Sequence, residues 1–511
     1  MDIQQVALVL ILQGLAGSIL LSRLYGFEIG KHAVLLSQSG LSTLTPSNPP
    51  SCGLLRWSDY TVVSSRVVLD NNRIEPAAIH ISGNRIVNIS LGGDISYLGV
   101  KVLNFGDAVI SPGVIDVHAH LNEPGREDWE GISTGTAAAA VGGITTLTDM
   151  PLNSFPATTN TQLLKKKQQL AEEKAHVGVS HWAGLIPGNA ADHEELASLL
   201  AAGAMGFKSF MCPSGINDFP NVDAKAIAAA LPFLKKAGVP FFVHAELVSD
   251  IPKPQGPPNE YPTFLASRPP LFEREAVRLL IELLDKDITP ASPGFSVHIA
   301  HLSDAGCLPM IKEAKKRHPI TVETCAHYLA FSEEEVPING TLFKCMPPLR
   351  SRANQQELLN AVLDGTISLV SSDHSPAPPN MKQLDTGNFL AAWGGISGLQ
   401  YLLPATWTPL QKAGADPVHL AHVLSEQPAK LLGMTKKGRI STGYEADLTV
   451  WVPEADADTS SGGNMHQHKA SPYTGAQLKG KVIATIANGN LVSLYSALPQ
   501  QPCGSAIKRS L

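Results

Sequence analysis

Charge is scarce in this 511-residue chain: Asp, Glu, Lys and Arg make up 16%, and the formal net charge is −6. No long block of lysine or arginine occurs, which excludes a nucleic-acid surface. Cysteine is sparse as well. The six are Cys52, Cys212, Cys307, Cys325, Cys345 and Cys503, and none forms a C-x-x-C pair. Zinc-ribbon and thioredoxin-like readings therefore have no support. No G-x-G-x-x-G follows an early strand, which argues against a dinucleotide-binding open sheet. The apolar stretch at the amino terminus, Val6 to Leu21, is short of the roughly 20 residues a spanning helix needs. Asp2 stands where a secretory signal has a basic start, and no clear A-x-A site follows. Residues 6–21 are still expected to be a targeting segment with membrane association, leading into the endoplasmic reticulum or another endomembrane compartment. A cytoplasmic location is the alternative. Residues 39–53 read as a linker.

What is present suits a globular fold. Hydrophobic residues make up 44%, and 43 Gly and 38 Pro imply many tight connections. From residue 114 onward, short apolar runs alternate with helix-like segments. The expected strands are 114–120, 144–150, 180–186, 204–211, 240–246, 295–303, 320–328 and 367–374. Helical segments such as 163–174, 224–236 and 273–284 separate them. Eight such units imply an α/β fold, a (β/α)8 TIM-like barrel. Two β-rich pieces flank it, and neither can bury both faces alone, so they are expected to pair into one small β-sandwich. The expected divisions are an amino-terminal segment and linker at 1–58, a discontinuous sandwich at 59–110 plus 436–495, the barrel at 111–435, and a tail at 496–511. Residues 454–470 read as a mobile loop. Cys52 and Cys503 flank the folded body and can pair in an oxidising compartment, although sequence leaves connectivity open.

Lys208 is the residue hardest to explain by packing. It lies in the apolar run Ala204–Met211, where a charged amine is costly to bury. Upstream, the strand Val114–His120 ends in His-x-His, and the period of a strand puts His118 and His120 on one side. Other polar residues at expected strand ends are Asp149, His244, His298, His301, His327, Asp373 and His374. In a barrel those ends form one mouth. Imidazole and carboxylate gathered there suit a metal site. An ammonium cannot ligate a metal, but a lysine that has reacted with CO2 carries a carbamate, chemically a carboxylate. His298, His327 and His374 read more simply as structural histidines.

The order of these motifs resembles the amidohydrolase superfamily, and within it the cyclic-amidase branch of dihydroorotases, hydantoinases and allantoinases. The motifs are Ser111–His120 (SPGVIDVHAH), Phe207–Phe210 (FKSF), Val243–Glu246 (VHAE), Ala300–Ser303 (AHLS), Glu323–Leu329 (ETCAHYL) and Ser372–His374 (SDH). The resemblance runs from about residue 60 to 495. Three details favour the plant-type allantoinases. Asn122 stands where dihydroorotases carry an arginine for the substrate carboxylate. The stretches 123–131 and 149–158 are similar to the allantoinase pattern. The run 208–220 (KSFMCPSGINDFP) looks most like the plant-type members.

The resemblance implies hydrolytic opening of the hydantoin ring of (S)-allantoin to allantoate. It implies two divalent ions, with zinc foremost and manganese, cobalt or iron as alternatives. His118 and His120 would hold one ion and His244 and His301 the other. Lys208, as N6-carboxylysine formed with CO2, and a hydroxide would bridge them. Asp373 would ligate the first ion and carry a proton from the hydroxide to the departing ring nitrogen. Asn122, Arg126 and Ser214 are candidate substrate contacts, each of which could equally hold a loop, and Met346 stands where hydantoinases carry a serine that holds the ring through its main chain, so it too is a candidate contact. Relatives imply a homotetramer. Two other readings stand beside this one: a hydantoinase or dihydropyrimidinase on the same scaffold, and a metal-free scaffold resembling the dihydropyrimidinase-related proteins. For Lys208 the plain alternative is an ion pair with Asp149 or Asp373, or a stem that reaches solvent. For Asp373 it is an N-cap, since Asp-His-Ser-Pro can start a helix.

Overall fold

The computed structural model describes residues 35–36, 52–55, 57–70, 72–92, 101–249 and 253–509. At its centre stand eight parallel strands: β1 (Val114–Ala119), β2 (Ile144–Asp149), β3 (Gly178–His181, resumed at Ala183–Gly184), β4 (Phe207–Phe210), β5 (Pro240–His244), β6 (Ser296–Ile299), β7 (Ile320–Cys325) and β8 (Leu369–Ser371). Each pairs with the next in parallel. The ring closes where Ala119 bridges His374 and the His120 N–H donates to the His374 carbonyl at 2.8 Å. Every residue of β1, β2 and β5 is buried, as expected when helices cover the outside and side chains fill the inside. The chain therefore folds as a TIM-like barrel, not as an open sheet.

Helices follow the strands with ordinary stop and start chemistry. Asn160, Asp192 and Asp223 accept backbone N–H groups at the starts of Thr161–Lys174, His193–Ala201 and Ala224–Ala237. Gly238 ends the last of these in the left-handed conformation at φ 63°, a position that glycine fills without a Cβ penalty. Their apolar stripes, for example Ala276, Val277, Leu280 and Leu284 of Leu271–Lys286, recur at helical spacing and join the barrel core.

The two ends of the chain meet in one mixed sheet of nine strands. Leu448–Asp456 runs antiparallel to Val109–Pro112, with Val450 opposite Ile110, and so stitches the carboxy-terminal strands to the amino-terminal ones. Tyr60, Ile79, Phe105, Leu448 and Ile486 fill its core.

Several boundaries differ from the sequence reading. The third strand begins at Gly178 and is broken at Trp182, which donates its backbone N–H to Asp149 and its indole N–H to Val117. The sixth ends at Ile299, so Ala300–Ser303 is a strand-end loop, with His301 at φ 33°. Residues 454–470 were expected to be mobile, yet 454–456 end the strand Leu448–Asp456 and the rest is fastened to the barrel. Gln400 donates to the Gly463 carbonyl at 2.7 Å, Gln467 N–H donates to Glu130 at 2.9 Å, and His466 is buried. Cys52 and Cys503 are joined by a disulfide that spans 451 positions. Beyond it, the tail runs along β3, where Val179 bridges Ala506. The apolar stretch 6–21 lies outside the described residues. Among the described residues no helix is long and apolar enough to cross a membrane.

Candidate metal centre

The strand ends deliver six side chains to one place. His118 comes from β1, His120 from the residue after it, Lys208 from β4 and His244 from the end of β5. His301 follows β6 and Asp373 follows β8. His118 Nε2 lies 3.2 Å and His120 Nε2 3.6 Å from Asp373 Oδ1. The ring of His301 is 5.4 Å from that of His118 and 4.5 Å from that of His244, centroid to centroid. Asp373 starts no helix; it sits at φ 40° and accepts the Ser375 hydroxyl at 2.8 Å. Burial works to raise its carboxyl, but the imidazoles of His118, His120 and His301 outweigh burial and hold it well below the carboxylate range. Backbone held in sparsely populated regions at Asn122, His301 and Asp373 is the sort of strain that persists at working sites.

Lys208 is fully buried, and its Nζ has no hydrogen-bond partner. It hangs 4.5 Å from the centroid of Phe242 and 5.1 Å from that of Phe210. The ion pair considered from sequence does not form, because Asp149 pairs with Lys167 at 2.5 Å. Nor does the amine reach solvent. Burial lowers it to about 8, against the opposing pull of Glu323 and Asp373. A neutral amine is the form that takes up CO2. Once carboxylated, it would supply the acidic oxygen the pocket lacks at that point.

The surroundings fix the rings. Glu323, on β7, accepts the His118 Nδ1–H at 2.6 Å and the His301 backbone N–H at 3.1 Å. That leaves Nε2 of His118 for the centre. His120 Nδ1 stands 3.5 Å from the Leu152 carbonyl and 3.2 Å from Asn153 Nδ2. Asp116, beneath His118, accepts the Ser372 N–H at 3.2 Å and its hydroxyl at 2.5 Å, tying the strand of His118 to the strand of Asp373. His298 donates to or accepts from Thr321 at 2.8 Å, and His374 meets Glu130 at 3.1 Å, so both have structural partners. His327 is buried with neither nitrogen partnered.

These residues fit divalent ions. One ligand atom each from His118, His120 and Asp373 falls within 4.8 Å of the others, and the same holds for Cys212, His244 and Glu246. Beside them stand the orphan Nζ of Lys208 and the partnerless Nδ1 of His301, and apart from the Cys212 thiol and that amine the donors are imidazole nitrogen and carboxylate oxygen.

The candidate substrate contacts divide. Asn122 is buried, and both atoms of its amide lack a protein partner. Arg126 spends Nη1 on the carbonyls of Asn153 and Ser154, between the rings of Trp129 and Phe155. Ser214 donates to Phe219 at 2.7 Å, inside its own loop. Met346 touches Arg268, whose Nη2 donates to its sulfur at 2.8 Å. The sequence reading did not single out Glu246, Arg268 or Glu323. The signal for the two acids was their place inside histidine-bearing apolar runs, where a buried charge needs a partner.

A family model described as Amidohydrolase family matches residues 109–492. The chain is 47% identical over 467 residues to "Probable allantoinase" of Oryza sativa subsp. japonica, covering 89% of this chain and 92% of that one. It is 45% identical over 465 residues to "Allantoinase" of Arabidopsis thaliana, with the same coverage. Among solved structures, L-hydantoinase (dihydropyrimidinase) from Arthrobacter aurescens superposes with a TM-score of 0.80 at 26% identity, over 89% of this chain and 100% of that chain.

Proposed function

The chain belongs to the amidohydrolase family, and on that footing we propose that the cluster at its barrel mouth opens the hydantoin ring of allantoin with water, giving allantoate. It is a hydrolase of the allantoinase kind. The observation that carries the assignment of the site is Lys208: a fully buried lysine with a partnerless Nζ, facing imidazoles and a carboxylate.

In this reading His118, His120 and Asp373 would hold one divalent ion and His244 and His301 another, and the carbamate of Lys208 would add an acidic oxygen to the site. When bound, such ions lower the pKa of water and polarise a carbonyl oxygen, which a poorly electrophilic ring amide requires. Zinc is the ion we favour, because imidazole and carboxylate oxygen are its usual partners.

The chain's own residues do the rest. Asp373 is held ionised by the surrounding imidazoles, and Ser375 fixes its Oδ1. Its carboxylate takes the proton shed by the attacking water and delivers it to the ring nitrogen as the C–N bond breaks. Asn122, with its amide uncommitted, offers a donor and an acceptor to the ring or ureido oxygens and N–H groups. Asp373→Asn should cost about 10²–10⁴-fold in turnover. The deciding assay compares hydrolysis of allantoin, hydantoin and dihydrouracil by the purified chain. Preference for dihydrouracil would replace this reading with a dihydropyrimidinase-type one, and metal content near zero would leave a non-catalytic scaffold.

The Cys52–Cys503 disulfide supports an oxidising compartment, and we assign the chain to the endomembrane system on that basis. The exposed Asn88 and Asn339 head glycosylation sequons there, and a mass shift on glycosidase treatment tests the assignment.

A further inference from the structure

The two halves of the centre are backed by different chemistry. Behind His118 stands Glu323, fully buried, which also accepts the His301 backbone N–H and lies 3.4 Å from His298. Among the described residues no lysine or arginine pairs with it at ion-pair distance. Behind His244 stands Glu246, also fully buried, 2.7 Å from His244 Nε2. That contact leaves Nδ1 as the ligating nitrogen of His244. Glu246, however, is neutralised: Arg268 Nη1 donates to the same oxygen, Oε2, at 3.1 Å. The other arm of the guanidinium, Nη2, reaches Met346 Sδ at 2.8 Å.

A carboxylate behind a ligating imidazole fixes the ring and raises its basicity. Its negative charge also attracts the ion across a medium that screens poorly. An arginine paired to that carboxylate cancels much of both effects. The His118 half has an uncompensated glutamate, and the His244 half a compensated one.

We propose that Glu246 and Arg268 are opposing positioning residues for His244. Glu246 orients the ring and strengthens its hold, and Arg268 weakens that hold, so the ion on the His244 side is the more weakly bound of the two. This rests on the two-ion reading above. Neither residue touches the reacting atoms. Arg268 also links this half of the centre to the segment at Met346.

The experiment counts metal per chain by elemental analysis after full-length protein, loaded with zinc, is equilibrated against increasing chelator. Wild type is expected to release its ions in two separate steps. In Glu246→Gln the first step moves to chelator activities about 10–100-fold lower, while the second stays in place. Glu246→Asp restores part of the shift. Arg268→Met moves the first step the other way, because the uncompensated carboxylate then has only the ion as counter-charge, and it lowers the thermal midpoint of the metal-free chain. A merely structural role would move both variants in the same direction. The inference is overturned if Glu246→Gln and Arg268→Met shift the first step alike, or if neither shifts it. Should Glu246→Gln fail to fold, Arg268→Met alone decides by the sign of its shift. A wild-type chain that takes up no ion overturns the two-ion reading itself, whereas normal two-step release with unresponsive variants overturns only the inference.

Discussion

Asp149 and Lys167 form a buried ion pair, with 2.5 Å between Oδ2 and Nζ, while Asp149 Oδ1 accepts the Leu121 N–H at 2.9 Å. Both oxygens of Asp149 are thereby committed, one to the loop after β1 and one to the helix after β2, and Lys208 is left without that carboxylate. Asp149→Asn keeps the Leu121 contact but strands a charged Lys167 in the core. The expected loss is about 3–5 kcal/mol of stability, read from chemical denaturation. Replacing both members together by Asn and Met should recover part of it. A single variant as stable as wild type would contradict the pairing.

On the proposed two-ion reading, removing the Lys208 amine should remove the carbamate. Lys208→Ala is expected to lose more than the about 10–100-fold that loss of an outer partner costs, and to retain less metal. Intact-mass measurement of wild type under native conditions should show one CO2 added, and the variant should lack it. A metal-loaded, fully active wild type with an unmodified lysine would remove the carbamate from the scheme.

Glu323 serves both sides of the centre at once, through the His118 ring and the His301 backbone. Glu323→Gln keeps the shape and removes the charge. The expected outcome is a drop in turnover or metal affinity of about 10–100-fold. Steady-state rates on allantoin, taken alongside metal content, check it.

Four cysteines are free and buried, and two are joined. In denaturant without reductant, four thiols should therefore react with an alkylating reagent, and after reduction all six. Cys503→Ser should cost about 2–5 kcal/mol. Six reactive thiols before reduction would exclude the bridge.

Acid should weaken the fold through histidines buried as neutral rings. Burial lowers His181 to about 4 and His466 to about 3. Below about pH 6.5 the unfolded chain binds a proton at each, while the folded chain does not. Their contribution is therefore intact above about pH 6.5 and falls as the pH drops toward 4, by about 1.4 kcal/mol per pH unit for each. His181, whose two nitrogens have no partner, is the cleaner probe. His181→Leu should flatten the curve between pH 6.5 and 4, and an unchanged slope would count against a neutral ring.

Much of the architecture is local and was legible before any fold was known. Strand period places His118 and His120 on one side, and a barrel gathers strand ends at one mouth, so the histidines and Asp373 could be grouped from their positions alone. Strand limits were read less well. Trp182 interrupts its strand and turns its indole N–H to the Val117 carbonyl, a long-range contact that no alternation pattern reveals. The stretch 454–470 is polar and looked free, yet it begins in a strand and continues as an anchored loop. Its anchors, Gln400 and Glu130, lie far away in sequence.

The chain's own order of residues determined the barrel, the His-x-His pair and the misfit of Lys208 with its apolar run, because each follows from short-range periodicity and the cost of burying charge. Only the tertiary structure decided which acid each base meets. Lys167 takes Asp149, Arg268 takes Glu246, and Glu323 goes to His118 across 205 positions. Those partnerships depend on the register of neighbouring strands and on distances of a few ångströms, and a one-residue slip would turn each side chain to the other face.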